Sequence, residues 1–203
     1  MQTIGLFGGS FNPIHNGHLY MARRAVEALG LEIMYLMPTG NPPHKRSGLA
    51  DKLDRLRMVE LALEGEERLR PLDIEVRREG VIYTVDTLRL LHVRMPDSRF
   101  LYLIGADTLM DLPHWRCIDE VITLCDFVVC ARPGYEEKAV ERCKDIMHQK
   151  GAHIQSLLMN EQDISATMVR ESLREKRNLA RLVPPAVASY ILQNGLYQQE
   201  DEN

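Results

Sequence analysis

The sequence predicts an α/β fold, in which a doubly wound, mostly parallel sheet is followed by a small C-terminal helical segment. Two patterns predict it. Short, nearly continuous apolar runs recur along the chain, as in strands that are covered on both faces. Between these runs, apolar residues recur every three or four positions, as on one face of a helix. Strands that alternate with helices are joined by right-handed crossovers, which makes the sheet parallel.

The apolar runs place the strands in order. Four runs are nearly continuous: Thr3–Phe7, Ile33–Met37, Phe100–Ile104 and Phe127–Ala131. In residues 72–76, apolar side chains alternate with Asp73 and Glu75, which predicts a strand with one wetter face. Ile154–Leu158 is the predicted last strand. In a Rossmann-like sheet of this kind, ligands bind beyond the carboxyl ends of the strands.

Helical spacing places the helices between and after the strands. Three apolar stripes show it: Leu19, Ala22, Val26 and Leu29; Leu49, Leu53, Leu56 and Leu63; and Val85, Leu88 and Leu91. The tail predicts two short helices, Met168–Arg174 and Pro184–Gln193, with Gly195 at the end of the second. We therefore expect one domain over residues 1–203, whose helical C-terminal part covers about 165–197.

Composition excludes several classes of function. The 203 residues carry a formal net charge of −4, whereas a general nucleic-acid binder usually has a basic excess. No apolar run reaches the roughly 20 residues that span a bilayer, so we expect no transmembrane helix. Glycines break the apolar N-terminal segment, so we expect no signal peptide. The cysteines form no CxxC pair and no zinc-finger pattern, so we expect reduced thiols in the cytoplasm: Cys117, Cys125, Cys130 and Cys143.

The loop after the first strand, Gly8–His18, concentrates groups that suit a phosphate. Its glycines let the backbone approach a ligand closely. His15 and His18 are near enough in sequence to converge on one ligand, and Gly17 opens a helix whose N-terminal dipole favours anions. The spacing is neither GxGxxG nor a P-loop. The alternative is an ordinary turn with a helix cap and two surface imidazoles.

Two further loops carry candidate groups after later strands. His44–Arg46 follow the second strand as a cationic cluster, for which the alternative is a solvated basic turn. Gly105–Asp107 follow the strand at 100–104 and precede Trp115, the single tryptophan of the chain. Because Trp115 lies in a polar stretch, it is either a core residue or a platform for a flat ring.

A fourth loop opens the first helix of the tail. Ser165 or Thr167 caps this helix, and Arg170 lies about one turn later. Hydroxyls, free N–H groups and a guanidinium together suit a polyphosphate, whereas the alternative is a plain cap followed by a surface arginine. The chain has no acidic cluster at metal-cage spacing, no GxSxG and no HExxH.

Two of these loops resemble the signature motifs of the HxGH nucleotidylyltransferase superfamily. The motifs are His15-Asn16-Gly17-His18 and Ile164–Arg170, of sequence ISATMVR. The chain is similar to the bacterial nicotinate mononucleotide adenylyltransferases over essentially its whole length. The further motifs of this similarity are Gly8–Phe11, Pro42–Lys45, Tyr83–Leu88, Gly105–Asp107 with Trp115, Ala131–Gly134 and Asn194–Tyr197. The family commonly has aspartate where this chain has Asn12, and often serine where it has Ala166.

The resemblance implies transfer of AMP from ATP to nicotinate mononucleotide, giving nicotinate adenine dinucleotide and pyrophosphate in NAD biosynthesis. In this family the mononucleotide phosphate attacks the α-phosphorus of ATP directly, with no covalent enzyme intermediate. Phosphate is already a nucleophile at neutral pH, so the protein must align two polyanions and stabilise developing charge. Mg²⁺ would arrive on the ATP phosphates, which explains why no protein cage for it is visible in the sequence.

The resemblance also implies roles for single residues. On the ATP side, His18 contacts the α-phosphate and stabilises its transition state, and His15 orients the triphosphate. The other implied ATP-binding residues are Gly8, Gly9, Ser10, Phe11, Gly105, Ser165, Thr167 and Arg170. Lys45 reaches the reacting phosphates from the other side and serves both catalysis and mononucleotide binding. The rest of the mononucleotide site is Thr84, Trp115 stacked on the pyridine ring, Asp107 near the ribose, and Arg132.

Three other interpretations stay open at this point. A pantetheine-phosphate adenylyltransferase shares fold, motifs and reaction, but Thr84, Trp115 and the Gly-Ala-Asp motif weigh against it. A non-catalytic nucleotide sensor would use the same phosphate-binding loops. Loss of His18 or Arg170 would favour a sensor, and both are present. A purely structural α/β module requires all four loops to be inert. The expected partners are ATP and nicotinate mononucleotide, with neither nucleic acid nor membrane, and a homo-oligomer is left open.

Overall fold

The computed structural model describes residues 2–41, 48–131, 137–159 and 164–198. Its strands are β1 (Gln2–Gly9), β2 (Ile33–Pro38), β3 (Leu69–Pro71), β4 (Ser98–Gly105), β5 (Asp126–Ala131) and β6 (Ile154–Leu158). All neighbouring strands are parallel, in the spatial order β3-β2-β1-β4-β5-β6. The predicted α/β fold with a doubly wound parallel sheet is confirmed, and each of the four continuous apolar runs lies in a strand.

Helices cover both faces of this sheet. They are α1 (Asn16–Ala28), α2 (Lys52–Ala62), α3 (Thr84–Arg94), α4 (Ala106–Asp111), α5 (Ile118–Leu124), α6 (Glu137–Gln149), α7 (Ala166–Arg174) and α8 (Pro185–Gln193), with a 3₁₀ turn at Leu112–His114. On one face, strand residues such as Phe7 and Leu36 pack against α1, α2, α7 and α8. On the other face, Leu6 and Phe100 pack against α3 to α6. This two-sided burial explains why the strands are apolar throughout.

The first and third helical stripes are confirmed. In α1, Leu19, Ala22 and Val26 are buried, and Leu29 caps the C-terminal end of the helix. In α3, the three apolar residues of the stripe are all buried at the face of the sheet. The two tail helices are also confirmed, with α7 beginning two residues earlier than predicted and α8 one residue later. α4, α5 and α6 have no counterpart among the predicted helices.

The predicted strand at residues 72–76 is wrong. The N–H of Met34 donates to the carbonyl of Arg68, a register in which residue 38 would donate to residue 72. Pro38 has no N–H, so the ladder between β2 and β3 stops there and β3 ends at Pro71. The following residues form a turn, in which Leu72 is half-buried while Ile74 and Val76 are buried. Glu75, expected on a wetter face, is only 6% exposed.

The second helical stripe is correct only in part. Asp51 caps α2 by accepting the N–H of Leu53, so Leu49 lies before the helix. Leu53 is 62% exposed, and the buried face of α2 instead includes the charged residue Arg55. An apolar stripe cannot reveal a buried arginine, because sequence patterning assigns charged residues to the solvent face.

Two general properties complete the fold. Among the residues described, no helix combines the length and the apolar character needed to cross a bilayer. All four cysteines carry free thiols; Cys117 is exposed and the other three are buried.

Candidate active site

The candidate site lies at the carboxyl ends of β1 and β4, the two central strands. The strand order reverses between them, because the chain adds β2 and β3 on one side of β1 and β5 and β6 beyond β4. In open parallel sheets, loops part at such a switch point and leave a crevice for a ligand. The predicted loop Gly8–His18 starts later than expected, because Gly8 and Gly9 are the last two residues of β1 and pair with β2. Gly105 is the last residue of β4.

His15 and His18 lie together at the start of α1. His15 is the buried N-cap residue, and the two imidazole rings stack with their centroids 3.6 Å apart. The backbone N–H of His15 donates to His18 Nδ1 over 3.2 Å, which places the proton of a neutral His18 ring on Nε2. The ring of His18 also meets the edge of Phe11, 5.0 Å away between centroids. His18 is therefore a fixed hydrogen-bond donor at a helix N-terminus.

Gly17 brings the two signature motifs into contact. A Cβ atom at this position would lie 3.0 Å from His15 Nδ1 and 3.3 Å from the carbonyl oxygen of Ile164, both tighter than most real contacts. Any side chain here would separate the start of α1 from the loop that enters α7. The glycine of the first motif thus allows the start of α1 to lie close to Ile164 in the second motif.

The second motif is organised by its own side chains. Ser165 is the N-cap of α7 and accepts the N–H of Met168 over 3.1 Å, which decides between the two predicted caps. Arg170 donates from Nη2 to Thr167 Oγ1 over 3.1 Å and from Nη1 to the carbonyl oxygen of Asn12 over 2.8 Å. The guanidinium therefore ties α7 to the loop after β1.

The side chain of Asn12 holds three partners in a buried position. Its Nδ2 donates to the carbonyl of Gly48 over 2.7 Å, and its Oδ1 accepts from the N–H of Ala50 and the hydroxyl of Tyr197. An amide can donate and accept at once, whereas an ionised carboxylate can only accept. Asn12 stands where the family commonly has aspartate, and its amide therefore donates a hydrogen bond to the carbonyl of Gly48 that an ionised aspartate could not donate.

Thr84 and Trp115, two of the predicted site residues, both contact a residue that the sequence did not single out. The hydroxyl of Tyr102, on β4, shares a hydrogen bond with Thr84 at the start of α3, and burial raises the pKa of Tyr102. A Cβ atom on Gly8 would lie 2.1 Å from this hydroxyl, so only glycine fits beside it. A tyrosine inside an otherwise apolar strand is the signal that could have identified it.

Trp115 lies at the border of the core, and its role as a platform for a flat ring stays a prediction. Its ring is half-buried and makes edge contacts with Tyr102 and Phe127, with centroids 6.1 and 6.3 Å apart. It therefore packs at the border of the core beneath α3 to α6 while keeping a partly open surface. Asp107 is exposed in the first turn of α4, next to Gly105. Lys45 and Arg132 lie outside the described residues.

Glu75 is a buried carboxyl group next to the loop after β2. It accepts the hydroxyl of Thr87 over 2.9 Å. Burial raises the pKa of Glu75, while hydrogen bonds from Thr87 and from the N–H of Gly40 oppose the rise.

The raised pKa of Glu75 predicts a pH-dependent stability. An unfolded glutamate ionises near pH 4.5, whereas folded Glu75 keeps its proton to higher pH. The stability that this proton supports is complete below pH 4.5 and is lost as pH rises through the folded pKa. Glu75→Gln should therefore gain stability over the unmodified protein as pH rises, and show no pH-linked gain below pH 4.5. Urea unfolding between pH 4 and about 8 measures this, with exposed Glu79→Gln as the charge control; a gain independent of pH contradicts it.

Comparison with known proteins identifies a matching family model and full-length relatives. The family model described as cytidylyltransferase-like matches residues 6–172. A protein of Shouchella clausii, described as "probable nicotinate-nucleotide adenylyltransferase", is 41% identical over 203 residues and is covered in full, as is this chain. A protein of Gloeobacter violaceus with the same description is 41% identical over 198 residues, covering 97% of this chain and 96% of its own.

A solved structure agrees at the level of the fold. It is a nicotinic acid mononucleotide adenylyltransferase of Plasmodium falciparum complexed with NaAD, with a TM-score of 0.78. The match covers 98% of this chain and 99% of the other, at 17% identity. Similarity at that identity supports the fold alone.

Proposed function

Since this chain belongs to the cytidylyltransferase-like family and, within it, to the nicotinate-nucleotide adenylyltransferases, we propose that it transfers AMP from ATP to nicotinate mononucleotide. The products are nicotinate adenine dinucleotide and pyrophosphate, in NAD biosynthesis. The observation that carries the proposal is the joining of two phosphate motifs, in which Arg170 donates to Asn12 beside the stacked rings of His15 and His18.

The ATP phosphates are proposed to bind where α1 and α7 begin side by side. Each helix start presents backbone N–H groups and the positive end of a dipole, which favour a polyanion. Gly8 and Gly9 at the end of β1 and Ser10 and Phe11 directly after it add backbone groups. Ser165, Thr167 and Arg170 hold the β- and γ-phosphates. Gly105, at the end of β4, is also proposed to bind ATP. We further propose that residues 1–203 form one domain.

The reaction follows from this placement. A phosphate oxygen of the mononucleotide attacks the α-phosphorus, and the bond from that phosphorus to the oxygen bridging to the β-phosphate breaks. The bridging oxygen leaves with pyrophosphate, held by the side chains at the start of α7. The Nε2–H of His18 stabilises the charge that develops on the α-phosphoryl oxygens, and His15 keeps its ring in place. No proton needs to leave the nucleophile, so no general base is required.

The pyridine ring is proposed to bind on the β4 side of the crevice. Trp115 would stack on the ring, Thr84 at the start of α3 would face its carboxylate, and Asp107 would lie near the ribose. Lys45 and Arg132 are assigned to the mononucleotide by resemblance only.

Mg²⁺ enters this proposal as part of the ATP substrate. Among the described residues, no group of three or more His, Cys, Asp or Glu side chains could hold a metal ion. The donors of the site suit phosphate oxygens, which are also the ligands that Mg²⁺ takes in nucleotide complexes. Bound there, Mg²⁺ would neutralise part of the phosphate charge.

A pyrophosphate-release assay tests the proposed function. The protein is given ATP and Mg²⁺ with nicotinate mononucleotide, nicotinamide mononucleotide or phosphopantetheine in parallel. We expect release with the first and little with phosphopantetheine. Release that is fastest with phosphopantetheine would identify the other adenylyltransferase, and ATP binding without any release would identify a nucleotide sensor.

Two substitutions should separate the two substrates. Arg170→Ala should raise the KM for ATP by roughly tenfold, because it removes charge-assisted hydrogen bonds. Trp115→Ala should raise the KM for the mononucleotide by roughly tenfold, the value of a stacking platform. Initial rates with each substrate varied in turn measure both, and Arg24→Ala, exposed on α1, is the control. If Trp115→Ala only destabilises the protein and leaves binding intact, Trp115 serves the core alone.

A further inference from the structure

Arg55, on α2, carries a buried guanidinium beneath the loops of the candidate site. Its side chain is only 1% exposed, and no ion pair includes it among the described residues. Its donors go mainly to backbone carbonyl oxygens: Nη1 to Ser10 over 2.8 Å, Nη2 to Gly40 over 3.1 Å, and Nε to Ala50 over 3.1 Å. A longer bond of 3.5 Å joins Nη1 to Thr39 Oγ1. Burial lowers the pKa of Arg55, and these hydrogen bonds compensate for its desolvation together with the more distant negative charges of Asp51 and Glu75.

The three carbonyl oxygens belong to three separate segments. Ser10 lies in the loop after β1, Gly40 in the loop after β2, and Ala50 just before α2. The guanidinium is planar and its donors have fixed directions. One rigid group therefore sets the positions of these segments relative to one another. Asn12 Oδ1 accepts the N–H of Ala50, so this residue is held from both sides.

The same contacts determine where the loops direct their N–H groups. In a trans peptide unit, the carbonyl and the following N–H point in opposite directions. Because the carbonyls of Ser10 and Gly40 point at the guanidinium, the N–H groups of Phe11 and Asn41 point away from it. Phe11 has φ of 44°, a left-handed conformation that a non-glycine residue adopts only when its surroundings hold it.

We propose that Arg55 is a positioning residue for adenylyl transfer, which holds the phosphate-binding loop after β1 and the loop after β2 at a fixed separation. This inference rests on the proposed function. It differs from a purely structural role because it concerns alignment: displacing a reactant by 1 Å can cost about 10²-fold in rate. Arg55 touches no substrate in this account and acts through the two loops.

Arg55→Lys is the variant that tests the proposal. Lysine keeps the positive charge but lacks the planar guanidinium, so it cannot reproduce the fixed directions of the bonds that hold the two loops. We expect kcat to fall by at least about tenfold, with the KM for ATP changed less than kcat. The matched control is Arg57→Lys, two residues further along α2, where an exposed arginine pairs with Glu60. This control should keep the kcat of the unmodified protein.

A second variant separates positioning from stability. Met147→Ala opens a cavity in the core beneath α6 and should lower the melting temperature of the protein, and α6 carries no residue of the candidate site. Both variants are assayed below their melting temperatures and corrected for the folded fraction. A corrected kcat for Arg55→Lys equal to that of Met147→Ala would overturn the proposal.

Hydrogen exchange of the unmodified protein provides a measurement that needs no variant. ATP alone should increase protection in a peptide covering residues 5–14 and, through Arg55, in a peptide covering residues 36–41. Protection confined to the first peptide would overturn the proposal even if Arg55→Lys fails to fold. A complete lack of adenylyl transfer by the unmodified protein would instead contradict the proposed function, so the two failures can be told apart.

Discussion

Replacing His18 with alanine is expected to lower kcat by about 10²–10³-fold while the protein keeps its fold. His18 lies in the first turn of α1, and the His15 N–H bonded to its Nδ1 leaves the ring proton on Nε2. A donor fixed in this way needs no reorganisation when charge develops on the α-phosphoryl group. Removing it takes away stabilisation that is greatest in the transition state, so kcat should change more than KM.

Steady-state kinetics of His18→Ala with both substrates measures this effect, and circular dichroism checks the fold. The matched control is His153→Ala, since His153 is exposed just before β6, at the opposite end of the sheet. The control should retain the unmodified kcat. A His18→Ala protein with normal kcat and a raised KM for ATP would show that His18 binds only ground-state ATP.

The second large effect is a preference for nicotinate mononucleotide over its amide by at least about 10²-fold in kcat/KM. Thr84 begins α3, and the first N–H groups of a helix have no partner within it. A carboxylate accepts from every such donor and favours the positive end of the helix dipole. An amide must turn its NH₂ toward at least one donor, and a buried donor left unpaired costs about 1–3 kcal/mol.

The comparison requires both mononucleotides at saturating ATP and Mg²⁺ with one enzyme preparation. A ratio near one would contradict the assignment of the pocket around Thr84 and Trp115. It would leave the ATP half of the site unaffected, because His18, Ser165 and Arg170 contact neither ring substituent in the proposed arrangement. Sites that depend on specific hydrogen bonds can reach discrimination of roughly 10⁴–10⁵.

The fold was predictable wherever burial is two-sided. The apolar runs now in β1, β2, β4 and β5 have sheet neighbours on both edges and helices on both faces, so their composition alone reveals them. The prediction failed at the edge strand β3, where the missing N–H of Pro38 ends the ladder. Alternation at residues 72–76 resembles a strand because Ile74 and Val76 are buried, yet a turn buries them equally well.

The candidate site was predictable as motifs but not as a connected network. The two signature motifs could be found because their spacing is specific, and the structure brings them together through Gly17 and Arg170. Arg55 and Tyr102 were missed for the opposite reason. The bonds of a buried arginine to distant carbonyls are recorded by no local pattern, and a tyrosine in an apolar strand does not reveal which glycine it faces.

The bond from Arg170 to Asn12 joins positions 158 residues apart, which has a consequence for synthesis of the protein on the ribosome. At typical elongation speeds, roughly 10–30 s separate the emergence of the first motif from that of the second. During this interval the nascent chain has its glycine-rich loop but lacks Ser165 and Arg170, which are proposed to bind the ATP phosphates. On the proposed assignment of these residues, we therefore expect that an incomplete polypeptide released early does not consume ATP, and that activity requires translation of nearly the whole chain.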